Sequence, residues 1–139
     1  MKSLTTLIRI KQREMDALKR QQGILEQQRE EVQSIIDGLS NQLVSELKAA
    51  ESMPEMAHFF GNYSASIKDR QEMMHGHLRR VDVELDRLAN QLRDMFSEMK
   101  KYDLALTNWK KRKKDAEDKR LQQEMDEIGI RGYVRRDAT

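Results

Sequence analysis

The sequence predicts an all-α protein, an elongated two-helix antiparallel coiled-coil hairpin with a short helical connector. Charged residues make up 36% of the chain, and it holds one proline and six glycines, which suits long solvated helices better than a compact globule. A single proline-containing break lies near the middle. The third observation is an apolar or aromatic residue recurring in alternating steps of four and three, the repeat that makes two helices wind around each other. Its positions in the second half are Met74, Leu78, Val81, Leu85, Leu88, Leu92, Met95, Met99, Tyr102, Leu106 and Trp109.

The first helix is expected from about residue 3 to residue 51. The same spacing continues here, although four positions are polar: Lys11, Gln22, Arg29 and Glu46. The full set is Leu4, Ile8, Lys11, Met15, Leu18, Gln22, Leu25, Arg29, Val32, Ile36, Leu39, Leu43, Glu46 and Ala50. We expect the long polar side chains to lie along the apolar seam with their charged ends in water.

The connector is expected at residues 52–65. Ser52 is followed three residues later by Glu55, a capping-box pattern, and Pro54 would sit in the first turn, where a helix accepts proline. Gly61-Asn62 would close a short helical turn after it. The sequence therefore predicts that one helix ends here and that the chain folds back.

The second helix is expected at about residues 66–127. The glycines at 129 and 132 would end it, which predicts a flexible tail at 129–139. We treat all of residues 1–139 as a single coiled-coil domain.

The predicted connector also fixes a register between the two helices. Folding back around residues 52–65 places Leu43 near Leu78, Leu25 near Leu92 or Met95, and Leu4 near Lys113. The second helix would then extend past the first, leaving about Ala116 to Glu127 unpaired as a candidate contact surface.

A parallel homodimer is the alternative to the hairpin. It would set Lys11 against Lys11 and Arg29 against Arg29, with like charges in the seam. In the hairpin these residues face Leu88, Leu106 or Trp109 instead. We favour the hairpin and expect a monomer when the protein is free.

Composition argues against catalysis. The chain has no cysteine and a net charge of +2, and it contains no P-loop, nucleotide-binding fingerprint or nucleophile triad. Glu72 and His75 share a helix face at a spacing that occurs in helical metal sites, but a two-helix hairpin offers no interior to hold a metal. No run approaches the 18 or so apolar residues of a membrane span. We expect no enzyme activity, cofactor or metal, and a location in a reducing cytoplasm.

The strongest charge cluster is Lys110–Lys114. Five consecutive cations surround a helix, which suits an acidic partner such as a phosphate backbone, an anionic lipid or an acidic pore. The alternative is a solvated face, because Asp115, Glu117 and Asp118 follow and offer i to i+4 pairing. Trp109 is the only aromatic beside the cluster, so no specific nucleic acid is expected. A basic helical hairpin that binds nucleic acid or anionic membrane without specificity is an alternative function.

Methionine is frequent, with nine in the chain. Several lie near the connector together with aromatic residues, and methionine gives a flexible surface that adapts to its partner. This set predicts a binding patch and consists of Met53, Met56, Phe59, Phe60, Tyr63, Ile67 and Met73.

Four segments resemble a known family, and together they cover nearly the whole chain. They are Met1-Lys2-Ser3 with Leu7 to Lys11, Asn62-Tyr63 with Ile67 and His77-Leu78, Leu104 to Trp109 followed by Lys110 to Lys114, and Met125 to Ile128. They are similar to the flagellar export protein FliJ family, in its alphaproteobacterial branch.

The resemblance implies a coiled-coil stalk of the flagellar type III protein export apparatus, without enzyme activity. A FliJ-like stalk would enter the hexameric ring of the export ATPase FliI, regulate it, and contact the export gate protein FlhA and export chaperones. It would be cytoplasmic, associated peripherally with the inner-membrane export apparatus, and needed for flagellum biogenesis and motility. The stalk proteins of injectisome type III secretion systems share this shape and are the alternative.

The resemblance also implies two sets of contact residues. Contacts with the gate would involve Leu39, Leu43, Tyr63, Ile67, Met74 and His77. Contacts with the ATPase ring would involve Leu7, Lys11, Trp109, Lys110, Lys111, Arg112, Lys113 and Lys114. Ser66 and Arg70 depart from the family pattern, because large apolar residues are often found at their positions.

Overall fold

The computed structural model describes residues 2–137, and every one of them except Met53 is helical. Helix α1 spans Lys2–Ser52, a single 3-10 turn spans Pro54–Met56, and helix α2 spans Ala57–Asp137. The predicted all-α class with two long helices is confirmed.

The connector is much shorter than predicted. Ser52 is the last residue of α1, and its hydroxyl donates a hydrogen bond to the Lys48 carbonyl oxygen at 3.1 Å, so it does not cap the next element. Met53 is extended, at φ −131° and ψ 92°, and makes no side-chain capping bond. The predicted capping box therefore does not form, whereas Pro54 lies in the first turn as expected.

Helix α2 begins at Ala57, well before the predicted start near residue 66. Gly61 and Asn62 are helical, and no described residue has a positive φ. Only a turn with a positive φ would have required glycine here, and none of the described residues adopts one. The helix instead keeps its continuous backbone hydrogen bonds and tolerates Gly61 at a cost of about 1 kcal/mol relative to alanine.

The predicted flexible tail at 129–139 is also wrong for the part that is described. Helix α2 passes through Gly129 and Gly132 and ends at Asp137. Neither glycine adopts a positive φ, so neither acts as a helix stop. Residues 138 and 139 lie outside the described range.

The chain forms two compact units, and each contains a segment of both helices. The larger unit is Arg13–Met95. Its core is a narrow apolar seam, as a heptad repeat requires. The buried side chains are Met15, Val32, Ile36, Leu39, Ile67, Val81 and Leu88. Whether the whole chain behaves as one domain stays a prediction.

Two polar contacts set the register within this unit. Arg29 Nε donates to Asp82 Oδ1 at 2.7 Å, and Gln71 Nε2 donates to Ser40 Oγ at 2.7 Å. The partner's number falls as the α1 number rises, so the two segments are antiparallel.

The observed register differs from the predicted one. With Ser40 beside Gln71, the position opposite Leu43 lies about ten residues, or about 15 Å of helix, before Leu78. The reason is the early start of α2, which moves every pair across the seam. Arg29 consequently forms an ion pair with Asp82, where the sequence placed it against Leu88.

The smaller unit comprises Met1–Gln12 and Phe96–Thr139, described here for residues 2–12 and 96–137. None of residues 2–12 and 96–135 is buried, but both helices contribute half-buried residues to the seam. Lys11 pairs with Glu98 at 3.7 Å, where the sequence placed it against Leu106 or Trp109. Across both units every predicted seam position from Met74 to Trp109 is buried or half-buried, which confirms the second-helix repeat.

Candidate partner-binding surfaces

The first turns of α1 and the segment of α2 around Trp109 form a cleft, which we call the terminal cleft. It measures about 410 Å³. Lys2, Arg9 and Lys110 line it together with the Trp109 indole, and the other lining residues are Thr5, Thr6 and Leu106. The cleft therefore combines three cations with an aromatic wall, which suits an acidic side chain that carries an apolar stem.

The basic cluster Lys110–Lys114 is not neutralised by its acidic neighbours. No ion pair links it to the acids at 115–118 within the described part of the chain. Lys113 Nζ instead lies 5.3 Å from the centre of the Trp109 ring, a cation–π contact that holds both side chains on one face. The predicted i to i+4 pairs thus do not form, and the cations face solvent.

Helix α2 continues beyond the N-terminal end of α1. We call this part of α2, residues 110–135, the C-terminal extension. Every side chain in it is exposed. The sequence predicted a shorter unpaired segment, about Ala116 to Glu127. The reason is that the predicted register paired the start of α1 with a later part of α2 than the structure does. Large apolar residues are exposed along the extension at Leu121, Met125, Ile128, Ile130, Tyr133 and Val134.

Two of the predicted ATPase-contact residues belong to the seam. Leu7 and Lys11 are half-buried, and Lys11 is engaged by Glu98. Trp109 is half-buried and borders the terminal cleft. The side chains that a partner can reach freely are therefore those of Lys110–Lys114.

A small hydrogen-bond network supports the seam near this surface. The Tyr102 hydroxyl donates to Glu98 Oε1 at 2.7 Å. That hydrogen bond, followed by the positive charge of Lys11, lowers the pKa of Glu98 below its ordinary value. The same hydrogen bond raises the pKa of Tyr102, because ionisation would remove the donor.

A second groove, the connector groove, lies beside the 3-10 turn and measures about 210 Å³. Methionine and aromatic side chains dominate it, and Met53, Met56 and Phe59 are exposed. Its lining residues are Glu46, Ala49, Ala50, Met53, Met56, Phe59, Phe60 and Tyr63. A groove of this size and composition accepts one or two apolar side chains.

The predicted gate-contact residues fall into three classes of exposure. Leu39 and Ile67 are buried in the seam, with 5% and 2% of their surface exposed. Leu43, Tyr63 and Met74 are half-buried, and His77 is exposed. Leu39 and Ile67 are thus core residues that hold the helices together, and their side chains do not reach the surface.

The sequence predicted contacts from α1, but it missed the α1 residues that line the two grooves. Lys2 and Arg9 are seven residues apart and so share a helix face, a signal that was present in the sequence. Glu46, Ala49 and Ala50 reach the connector groove only because the connector is short. That could not be foreseen once Gly61-Asn62 was taken as a turn.

Neither a metal site nor a membrane span is found among the described residues. No three His, Asp or Glu side chains there come together to hold a metal ion. None of the described helices combines the length and the apolar character needed to cross a membrane.

Comparison with known families decides the identity. The sequence model described as "Flagellar FliJ protein" matches residues 1–138. The chain belongs to the flagellar FliJ protein family. FliJ membership makes it a component of the flagellar export apparatus, and the family is a structural export component that is not known as an enzyme. Searches of curated proteins and of solved structures found no match.

Proposed function

We propose that this FliJ-family chain is a coiled-coil stalk that engages the flagellar export ATPase ring and links it to the export gate. The terminal cleft and the C-terminal extension would contact the ring, and the connector groove would contact the gate. The observation that carries the proposal is the extension itself, a bare helix with five adjacent cations that lack acidic partners in the described chain.

The ring contact follows from charge and exposure. Cations on all sides of a helix suit a passage lined with acidic groups, whichever subunit each side meets. Trp109 supplies an apolar anchor next to them, and aromatic anchors beside charged residues dominate many interfaces. One chain inside a six-fold ring makes unequal contacts with its subunits, so it would bias the order in which they hydrolyse nucleotide.

The gate contact rests on the connector groove. The exposed Met53, Met56 and Phe59 line it, together with Tyr63. His77 is the exposed member of the predicted gate set. A partner that inserts an apolar side chain into the groove would bury surface that the chain now leaves in water.

Two further expectations belong to this proposal. The chain would escort export chaperones and would associate peripherally with the inner-membrane export apparatus from the cytoplasm. Both are proposed because the chain belongs to the flagellar FliJ family.

The proposal is tested by the effect of the chain on the export ATPase. We expect the full chain to promote assembly of the ATPase hexamer and to raise its rate of ATP hydrolysis. A variant with Lys110→Ala, Lys111→Ala and Lys114→Ala should need about tenfold more protein for the same effect, because it loses three exposed charge contacts.

The matched control removes three exposed cations from α1, as Lys19→Ala, Arg20→Ala and Lys48→Ala. This control should behave like the unchanged chain. If the unchanged chain alters neither assembly nor hydrolysis, the ring contact is wrong.

A further inference from the structure

A shallow notch lies on the side of α2 that faces away from the seam. Met73 and Val83 are 67% and 66% exposed there, and Gly76 lies between them on the same helix face. Arg79 and Arg80 border the notch, which measures about 560 Å³. On this face, only Met73 belongs to the binding patch predicted from the sequence.

The fold does not require glycine at this notch. Gly76 is helical without a positive φ, and a Cβ there would meet only a guanidinium nitrogen of Arg79, at an ordinary 3.7 Å. Alanine would stabilise the helix more than glycine does. What glycine provides at this position is room for another chain to approach the backbone closely.

The charges beside the notch point to an acidic partner. Neither Arg79 nor Arg80 has an ion pair within the described chain, whereas Glu84 is already bound by Arg87 at 2.9 Å. A partner that fits would carry a large apolar side chain for the notch and acids about one turn away.

The C-terminal extension carries that combination. Leu121 and Met125 are 50% and 67% exposed on one face, and Asp118 precedes Leu121 by three residues on the same face. Glu117 lies next to Asp118, and neither acid has an ion pair among residues 2–137.

We infer that the notch at Gly76 binds the C-terminal extension of a second copy of this chain, with the two helices antiparallel. Leu121 of one copy sits over Gly76 of the other. Asp118 is three residues before Leu121, and Arg79 is three residues after Gly76. Because the two helices run in opposite directions, Asp118 then lies beside Arg79. The inference does not rest on the ATPase or gate contacts.

The antiparallel direction follows from the charges. In the same register but parallel, Asp118 would fall beside the apolar Met73, and Arg79 would face Glu124, an acid that already pairs with Arg120 at 4.0 Å. Antiparallel pairing instead places beside Arg79 an acid without an ion pair among the described side chains, Asp118, and brings Met125 within one position of Met73. The contacting segments, residues 73–83 and 118–125, are only two to three turns long. Such a contact buries less than the roughly 1,200 Å² of a stable complex, so the association is weak and concentration-dependent.

The charge pair is tested by sedimentation velocity of the full chain over a concentration series. The sedimentation coefficient should rise with concentration. Arg79→Asp and Asp118→Arg should each weaken the association about tenfold, and the two together should restore it because the pair is re-formed in reverse. A concentration-independent sedimentation coefficient overturns the inference, and so does a double variant no tighter than the single ones.

The notch is tested by Gly76→Ala, with Gly23→Ala as the matched control. Gly23 is also a helical glycine, and a Cβ there meets nothing within 4 Å. Both variants should keep full helicity by circular dichroism and unfold at a higher temperature. Gly76→Ala alone should weaken the association about tenfold through overpacking of the close contact. Equal association constants for the two variants would overturn the inference.

Discussion

The seam of the larger unit and the C-terminal extension use the same kind of helix in opposite ways. In the seam, apolar residues recur at heptad spacing and are covered by the other helix, with Leu88 fully buried. In the extension no side chain is covered, although Leu121 and Met125 are as apolar as residues of the seam. Stability thus comes from the seam, and the extension is left as surface for contacts.

Charged residues also occur at heptad positions, at the edge of the seam. Arg29 and Lys11 occupy heptad positions, and each has an acid from the other helix, Asp82 and Glu98. In the extension the cations of Lys110–Lys114 lack such partners. The difference is that α1 and α2 are packed against each other along the seam, whereas the extension consists of α2 without α1 beside it.

The largest expected effect is the presence or absence of a cross-link between the helices, which tests the register of the seam. The chain has no cysteine, so engineered thiols can be cross-linked cleanly. A Ser40→Cys and Gln71→Cys pair should be joined by a short bifunctional thiol reagent, because these side chains are in contact. A Leu43→Cys and Leu78→Cys pair, close in the register expected from sequence, should not be joined. The reverse result, read from mass spectrometry of cleaved protein, would restore the longer connector.

A large effect on stability is expected from Leu88→Ala. Leu88 is 0% exposed, and removing a buried leucine side chain costs about 2–5 kcal/mol of the free energy of unfolding. Leu121→Ala, in the extension, should change it by less than about 0.5 kcal/mol. Urea unfolding followed by circular dichroism measures both. Comparable losses would mean that the extension is packed against something in the free protein.

The smallest effect is a change in pH dependence at the seam of the smaller unit. The pKa of Glu98 is lowered in the folded chain, so its contribution to stability is present at neutral pH and is lost as pH falls through the folded pKa. Wild-type protein should therefore lose more stability between pH 7 and pH 3 than Glu98→Gln, which has no carboxyl to titrate at this position. Urea midpoints at the two pH values make the comparison. Identical losses would show that the Tyr102 and Lys11 contacts do not act on Glu98.

The repeat in the sequence was sufficient to predict which face of α2 is buried. From Met74 to Trp109 each predicted position is covered, because a spacing of four and three leaves one face for the partner helix. Pro54 also marked the fold-back correctly, because proline has no backbone N–H and its ring clashes with the preceding turn in a helix interior. These signals are local and strong.

Glycine was the misleading signal. Gly61, Gly129 and Gly132 were taken as helix ends, but each is helical, and a helix can absorb about 1 kcal/mol per glycine without stopping. The error at Gly61 shifted the register, and the shift hid the pairs Arg29–Asp82 and Lys11–Glu98. Register in a hairpin depends on the loop length, so one misplaced turn misplaces every contact across the seam.

The most direct test of the division between seam and extension is hydrogen–deuterium exchange of the full chain, alone and with the export ATPase hexamer. Free protein should exchange slowly at residues 71–95 and rapidly at 110–135, where no second helix covers the backbone. Addition of the hexamer should slow exchange at 110–127 and leave 71–95 unchanged. Unchanged exchange throughout the extension, with slowing confined to the connector groove or the seam, would contradict the account.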